Sequence, residues 1–506
     1  MSGTTEQSSG VGFRSERGPV LIAMMVTMSL IALDSTIIAT AVPSIVHQLG
    51  GFAQFPGLFS IYLLTQAVTV PLYGKFSDVI GRRPILLLGI GLFLGGSLLG
   101  GFAWSMPTLI LARGIQGLGA GAIQPTTVTV IGDMYTIEER AKVQGYLASV
   151  WGISSVVGPT IGGLFAQYLS WRWIFLINLP LGALAFGLLR SRFTENVERR
   201  QHKVDYLGAG LLATGCSLFI LGLLEGGVAW PWLSPMGLGV GTSGVALIAL
   251  FVWVERRAIE PTVPLWVFSR RILIATDLGT AGAGAIMVGL ASYIPTYSQG
   301  VIGVGPVIAG LAVAALMLGW PVASSNSGRL YLHIGFRNTS TIGMIIVVIG
   351  TGLAASLGSK SSIWQVGLAC FIIGAGLGLT VSPMVVAIQS VVGWDRRGVV
   401  TATHMFSRSM GSAIGVAVFG AIANTTIAHR FANPPAGLSG TVPKNVDGAA
   451  QALGNSHSSS AVISFIRVAL FQATHHVLIA VSCVSILTLM AVTLMPKRID
   501  QLVFAD

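Results

Sequence analysis

The chain has 506 residues, of which 53% are hydrophobic and 9% charged, with a formal net charge of +11. A soluble domain carries about 25% charged residues, so the composition excludes an ordinary soluble enzyme and points to a chain that crosses a bilayer many times. The three cysteines, Cys216, Cys370 and Cys483, are too widely spaced for a disulfide framework or a paired-thiolate metal site, and no metal or cofactor is expected.

Residues 1–17 read as a polar tail. Apolar stretches long enough to span a hydrocarbon core of about 30 Å follow at 19–46, 58–73, 85–104, 108–131, 143–169, 173–189, 206–224 and 235–254. Six more lie at 272–297, 307–325, 341–357, 363–391, 403–427 and 473–494. The expected fold is therefore an all-α membrane protein with 14 transmembrane helices. Of the 29 lysines and arginines, 22 fall in loops on the side of the termini, 5 on the other side, and Arg113 and Arg408 fall inside spans. The positive-inside rule then makes both termini cytoplasmic in a plasma membrane, with a bacterial inner membrane as the expectation. The same asymmetry makes the basic pairs topology anchors, among them Arg82 and Arg83, Arg199 and Arg200, and Arg396 and Arg397, and removes the case for a nucleic-acid partner.

Polar groups inside the spans carry the chemistry. The first span contains LDSTIIATAVP, with Asp34 in an otherwise apolar run. A carboxylate in hydrocarbon is expensive and generally faces a cavity or a partner. At 1.5 Å per residue Asp34 lies about 22 Å up its helix and Arg113 about 8 Å into the fourth span, which puts both in the outer half of the membrane, within reach of each other. A neighbouring guanidinium favours the charged carboxylate and desolvation disfavours it, so a switch of surroundings would let Asp34 take up and release a proton. A fixed hydrogen-bonded packing role and direct binding of a cationic substrate stay open. Glu225, near the end of the seventh span, and Asp277, near the start of the ninth and within reach of Arg270 or Arg271, are further candidates for proton coupling. Arg408 is deep in its span and needs a counter-group that the sequence does not identify.

The chain repeats itself. GKFSDVIGRRP at 74–84 is echoed by GRLYLHIGFRN at 328–338, so that Gly74, Lys75, Gly81 and Arg83 each meet a like residue 254 positions later. This gives an N-terminal six-helix bundle at 18–192, a linker with two inserted helices at 193–270, a C-terminal six-helix bundle at 271–495 with an exterior loop at about 428–472, and a tail at 496–506. Two like halves with a site between them are a transporter design.

Four stretches in their expected spans resemble signatures of the major facilitator superfamily and, within it, of the fourteen-span drug:proton antiporters. They are LDSTIIATAVP, GKFSDVIGRRP, LILARGIQGLGAGAIQP and GISSVVGPTIGG. The resemblance implies a conformational latch from Gly74, Asp78, Gly81, Arg82 and Arg83, with Asp133 nearby, where the four-residue spacing of Asp78 and Arg82 suits an ion pair if the turn is helical. It also implies an exporter-type packing segment at Gly152, Gly158, Pro159, Gly162 and Gly163, whose small residues let helix backbones approach closely. Two departures stand out: Phe55 occupies a position that is often tryptophan, and the second-half loop has His333 near where the first has Asp78.

The substrate cavity is expected to draw on Tyr62, Gln66, Gln116 and Gln124 from the first half. From the second it draws on Tyr293, Tyr297, Met405 and Arg408, because apolar, adaptable walls with few polar anchors suit amphipathic molecules of varied shape. The leading expectation is a monomeric, proton-driven exporter of amphipathic, often cationic, small molecules, its partners being substrate, protons and the lipid bilayer. Export of one dedicated metabolite, antibiotic, amino acid or lipid is the alternative. A membrane enzyme or a non-transporting receptor is the third reading, and no zinc-protease or nucleotide-loop motif favours it.

Overall fold

The computed structural model describes residues 11–50, 57–195, 205–226, 230–258, 261, 263–432, 434 and 460–498. Phe55, Arg199, Arg200, the outer parts of both tails and most of the 428–472 loop lie outside the described residues. Regular structure among the described residues is helical, apart from one isolated bridge between Gly226 and Trp230. In chain order the helices are α1 (Gly18–Leu49), α2 (Gly57–Ile80), α3 (Arg82–Gly101), α4 (Met106–Met134), α5 (Ile137–Tyr168), α6 (Trp173–Leu176) and α7 (Asn178–Arg192). The inserted pair is α8 (Tyr206–Glu225) and α9 (Pro235–Glu255). The second half comprises α10 (Arg271–Tyr297), α11 (Pro306–Ile334), α12 (Phe336–Ala355), α13 (Ile363–Ser390), α14 (Arg397–Ala432) and α15 (Ser460–Thr493).

Local chemistry sets several of the boundaries. Ser105 caps α4 through Thr108 N, Thr136 and Glu139 form a reciprocal capping box at the start of α5, and Ser362 and Gln365 do the same for α13. Each such pair satisfies backbone donors that would otherwise be orphaned at a helix start. Between α2 and α3 the chain turns through Gly81 at φ 109°, and between α11 and α12 through Gly335 at φ 84°, conformations that only glycine adopts cheaply. The two glycines stand 254 positions apart, so the repeat in the sequence is also a repeat in backbone geometry.

Twelve helices among the described residues are long and apolar enough to cross a membrane, and Leu207–Leu223 of α8 is a shorter apolar helix. Helix α4 falls outside that set because Arg113, Gln116, Gln124 and its many glycines dilute its hydropathy. Its environment explains the tolerance: from Ala112 to Gly132 nearly every residue is buried, so protein rather than lipid surrounds it. The apolar stretch AVISFIRVAL, at the end of the expected exterior loop, is helical and opens α15, which runs without a glycine or proline to interrupt it.

In the first half α1 packs on α5, α7 and α4, while α4 is flanked by α2 and α3. In the second, α10 packs on α14 and α15, and α13 on α11 and α12. The halves meet along two seams, α5 on α11 and α2 on α14. Both depend on absent side chains: a Cβ on Gly74 would strike Ala402, and one on Gly328 would strike Ala141. Gly74 and Gly328 are themselves 254 positions apart, so equivalent points of the repeat open each half to the other. The α8–α9 hairpin lies over the α2/α14 seam, where Leu212, Cys216, Ile220 and Phe251 pack against Ala67, Val68 and Ala413.

Candidate functional site

Asp34 and Arg113 are brought together in the interior of the first half, 0% and 1% exposed. Arg113 Nη1 donates to Asp34 Oδ2 at 2.5 Å and to Gln116 Oε1 at 3.0 Å, and its Nε donates to Leu58 O at 3.2 Å. The other carboxylate oxygen accepts from Gln116 Nε2 at 3.2 Å and Asn178 Nδ2 at 3.3 Å, and both amides also reach Ser97 Oγ. The Tyr62 ring lies 4.2 Å beneath the guanidinium. Five helices thus contribute to one buried, charge-paired network. Such a pair is costly to desolvate and costlier to break, by about 3–5 kcal/mol when one partner is removed.

Next to this network, beginning one residue along at Ser35, is a cavity of about 530 Å³ between the halves, within the usual size range for small-molecule sites. Its walls include Met28, Trp151, Met287, Trp320 and Met405, with Gln66, Gln124 and Arg408 as polar elements. Gln66 Nε2 donates to Gln124 Oε1 at 3.0 Å. Of the residues expected there, Gln66, Gln124, Met405 and Arg408 line this cavity. Tyr62 and Gln116 serve the buried carboxylate, Tyr297 donates to Gly358 O at 2.7 Å, and Tyr293 packs against the core of the second half.

The latch candidates converge at the far end of α2. Arg82 Nη2 lies 2.9 Å from Asp78 Oδ1, and Arg82 Nε lies 3.1 Å from Asp133 Oδ2. The two residues of the first pair are four apart, yet no continuous helix joins them, because Gly81 breaks the chain between. The same guanidinium donates to Trp394 O at 2.6 Å and stacks 3.7 Å over its ring. Asp78 accepts from Gly398 N at 2.9 Å and Val399 N at 2.8 Å, at the start of α14. Asp133 also pairs with Arg397 Nη1 at 2.8 Å. Gln389 Nε2 donates to Val128 O at 3.1 Å, and the Tyr331 hydroxyl donates to Ile137 O. The Arg82 pairs with Asp78 and Asp133 lie within the first half, and the contacts to Trp394, Gly398, Val399, Arg397, Gln389 and Tyr331 join it to the second. Arg83 faces elsewhere, with its N–H on Glu195 Oε2 and its side chain on Arg190 O.

Asp277 sits in α10 with Oδ1 3.4 Å from His404 Nδ1 of α14, both nearly buried, while Arg271 Nε instead donates to Leu494 O. Glu225 ends α8, with no hydrogen bond or ion pair among the described residues. In the packing segment, Gly152 lies against Met317 O of α11 and Gly158 against Thr36 of α1, whose hydroxyl donates to Ser154 O at 2.9 Å. Pro159 lies within α5 and Gly162 is buried, whereas Gly163 faces open space.

Sequence reasoning missed Ser97, Asn178, His404, Trp394 and the pairing of Arg397 with Asp133. For Arg397 a signal existed, since its loop echoes the acid–arginine opening of the loop after the fourth span. Ser97 and His404 carry none, because nothing in their local sequence says which helix faces them.

The comparisons agree with this architecture. The human organic anion transporter MFSD10 (TETRAN) superposes with a TM-score of 0.63 over 94% of this chain and 99% of its own at 14% identity, a likeness of fold alone. Among curated proteins, the multidrug transporter protein MdtP of Bacillus subtilis is 33% identical over 82% of this chain and 76% of its own. Multidrug resistance protein 3 of the same organism is 32% identical over 86% and 85%, and the efflux pump dotC of Dothistroma septosporum 32% over 78% and 70%. The family model for the Major Facilitator Superfamily matches residues 24–416. With that match over most of its length, an all-helical fold and a cavity between its halves, the chain belongs to the Major Facilitator Superfamily and is a multi-pass membrane transporter.

Proposed function

We propose that this transporter is a proton-coupled antiporter that exports amphipathic small molecules across the plasma membrane by alternating access. It works as a monomer of fourteen transmembrane helices with cytoplasmic termini, in a bacterial inner membrane. Helices α1–α7 and α10–α15 are the two moving bundles, and α8 and α9 ride on their seam. The observation that carries the reading is the enclosed Asp34–Arg113 pair beside the cavity. The relatives named as multidrug transporters and efflux pumps support the direction and the breadth of cargo.

The mechanism has two states. With Asp34 charged, its oxygens hold Arg113, Gln116 and Asn178, and α1 is tied to α4 and α7. A proton on Asp34 removes the counter-charge of Arg113 and with it the strongest of those ties. On this reading the Asp78, Arg82, Asp133 and Arg397 cluster is the latch of the cytoplasmic end, and while it holds, the cavity serves the outer face, where cargo leaves and the proton enters. Release of the latch after protonation turns the cavity inward. Glu225 and Asp277 are secondary proton acceptors in this scheme.

The test is Asp34→Asn protein in sealed proteoliposomes with an imposed pH step and a panel of fluorescent amphipaths. Loss of pH-driven movement with retained dye binding is expected. Unchanged proton-coupled efflux removes Asp34 from the mechanism.

A further inference from the structure

Arg408 is the one charged residue among the described residues that line the cavity. The buried arginines Arg113, Arg82 and Arg140 and the half-buried Arg397 all have partners: Arg113 has Asp34, Arg82 has Asp78 and Asp133, Arg397 has Asp133, and Arg140 donates to the carbonyls of Gly132 and Tyr135. Arg408 has no hydrogen bond, ion pair or ring contact with any described residue. A guanidinium at that depth is costly without a counter-group, and the described residues supply none.

The backbone holds this side chain in place. Where α10 crosses α14, a Cβ on Gly284 would lie 3.1 Å from Arg408 Cγ and strike its carbonyl oxygen. The aliphatic stem is therefore packed against bare backbone, and the charged head is left to the cavity. Ser409 and Ser412 lie beside it on the wall, and Trp151, Trp320 and Met287 provide an apolar surface for the body of a ligand.

We propose that the cavity binds organic anions, amphipathic molecules whose carboxylate or sulfonate is received by Arg408 and whose aromatic or aliphatic body lies against the tryptophan and methionine walls. The planar fork of guanidinium donors matches two anionic oxygens at once, and no carboxylate among the described wall residues competes for it. A cationic amphipath, by contrast, meets a like charge and no compensating acid among the described wall residues. The inference rests on reading the cavity as the cargo site of an exporter, and it fixes the charge of that cargo.

The experiment uses purified full-length protein in nanodiscs and a matched pair of fluorescent dyes with one aromatic body, carrying a sulfonate in one case and a quaternary ammonium in the other. Binding is read by anisotropy for wild type, Arg408→Gln and Arg408→Lys, with sodium chloride and inorganic phosphate as competitors at equal ionic strength. The anionic dye is expected to bind at least about tenfold tighter than the cationic one, a difference of about 1.4 kcal/mol. Arg408→Gln should abolish the preference and Arg408→Lys retain part of it, with neither inorganic anion displacing the dye at concentrations that leave the cation unaffected. Should Arg408→Gln fail to purify as a single species, the wild-type dye pair and Arg408→Lys still decide. Equal or tighter binding of the cationic dye by wild type, or an anion preference that survives Arg408→Gln, overturns the proposal. Transport of both dyes in sealed vesicles separates it from the export reading. Anion binding without pH-driven movement of either dye supports the site and overturns proton-driven export, whereas pH-driven movement of the cation alone, indifferent to Arg408→Gln, overturns the site and leaves export standing.

Discussion

Replacing Asp78 by asparagine keeps the size of the side chain and removes the charge on which the proposed latch depends. The carboxylate is 4% exposed, accepts two backbone N–H groups at the start of α14 at 2.9 and 2.8 Å, and pairs with Arg82 at 2.9 Å. Asparagine retains one acceptor oxygen, but its amide turns two hydrogens toward donors. The loss is therefore at least one charge-assisted hydrogen bond, about 1.5–3 kcal/mol, together with the interaction of a negative charge with a helix N-terminus, about 0.3–1 kcal/mol. The two backbone bonds join the halves, so on the proposed mechanism the loss falls on the closed-latch state, and a total of about 2–4 kcal/mol shifts the conformational equilibrium roughly 30- to 700-fold. The assay is labelling of Ser412→Cys, on the cavity wall, by an impermeant maleimide applied from the α2–α14 end, in a Cys483→Ser background because Cys216 and Cys370 are buried. Asp78→Asn is expected to accelerate labelling from that face by a factor in this range, up to the limit set by full opening. A rate within twofold of the parent, in protein with the same elution profile and melting temperature, refutes the assignment of Asp78 as a latch.

Two further expectations follow from particular residues. Gly81 stands at φ 109° and ψ 156°, so Gly81→Ala should cost about 1–3 kcal/mol of strain and either lower the melting temperature or displace Arg82 from Asp133; a variant with unchanged melting and unchanged Trp394 fluorescence contradicts that. Asp277 and His404 face each other at 3.4 Å, and a double-mutant cycle with Asp277→Asn and His404→Gln should give a coupling of about 0.5–3 kcal/mol, read from thermal unfolding and from the pH profile of transport. Additive effects would mean that the two side chains do not act as a unit.

The parts of this molecule that were legible in the sequence are those carried by local patterns. Hydropathy gave the helices, and the 254-residue repeat gave the paired glycine turns at Gly81 and Gly335. Depth along two helices was enough to bring Asp34 and Arg113 within reach. What stayed hidden depends on which faces of different helices meet. Tyr62 was expected in the cavity and lies under Arg113, because α2 turns that face toward α4. Tyr297 lies on the same helix as cavity-lining Met287, yet points at the Gly358 carbonyl. His404 is four residues from Arg408 on one helix, and nothing in its own neighbourhood signals that Asp277 lies opposite. Arg397 reads as a topology anchor from charge alone and becomes a bridge to Asp133 only when α14 is set against α4.

The geometry also bears on how a proton at one end of the proposed cycle reaches a latch at the other. Arg113 and Asp133 both lie on α4, about 30 Å apart at 1.5 Å per residue, and Tyr62 and Asp78 lie about 24 Å apart on α2. These two helices are locked together: a Cβ on Gly117 would strike Thr65 and Tyr62 O, a Cβ on Gly121 would strike Thr69, and Gln66 bonds Gln124. A pair packed backbone to backbone moves as one lever rather than bending, so a displacement at Arg113 appears at Asp133 and Asp78 together. The ties that protonation of Asp34 loosens run from α1 to α4, one arm of that lever, and to α7 outside it. On the proposed mechanism the joint is therefore between α1 and the α2–α4 pair, and the latch responds because both of its acids ride on the lever while Trp394, Arg397 and the α14 N-terminus belong to the other half.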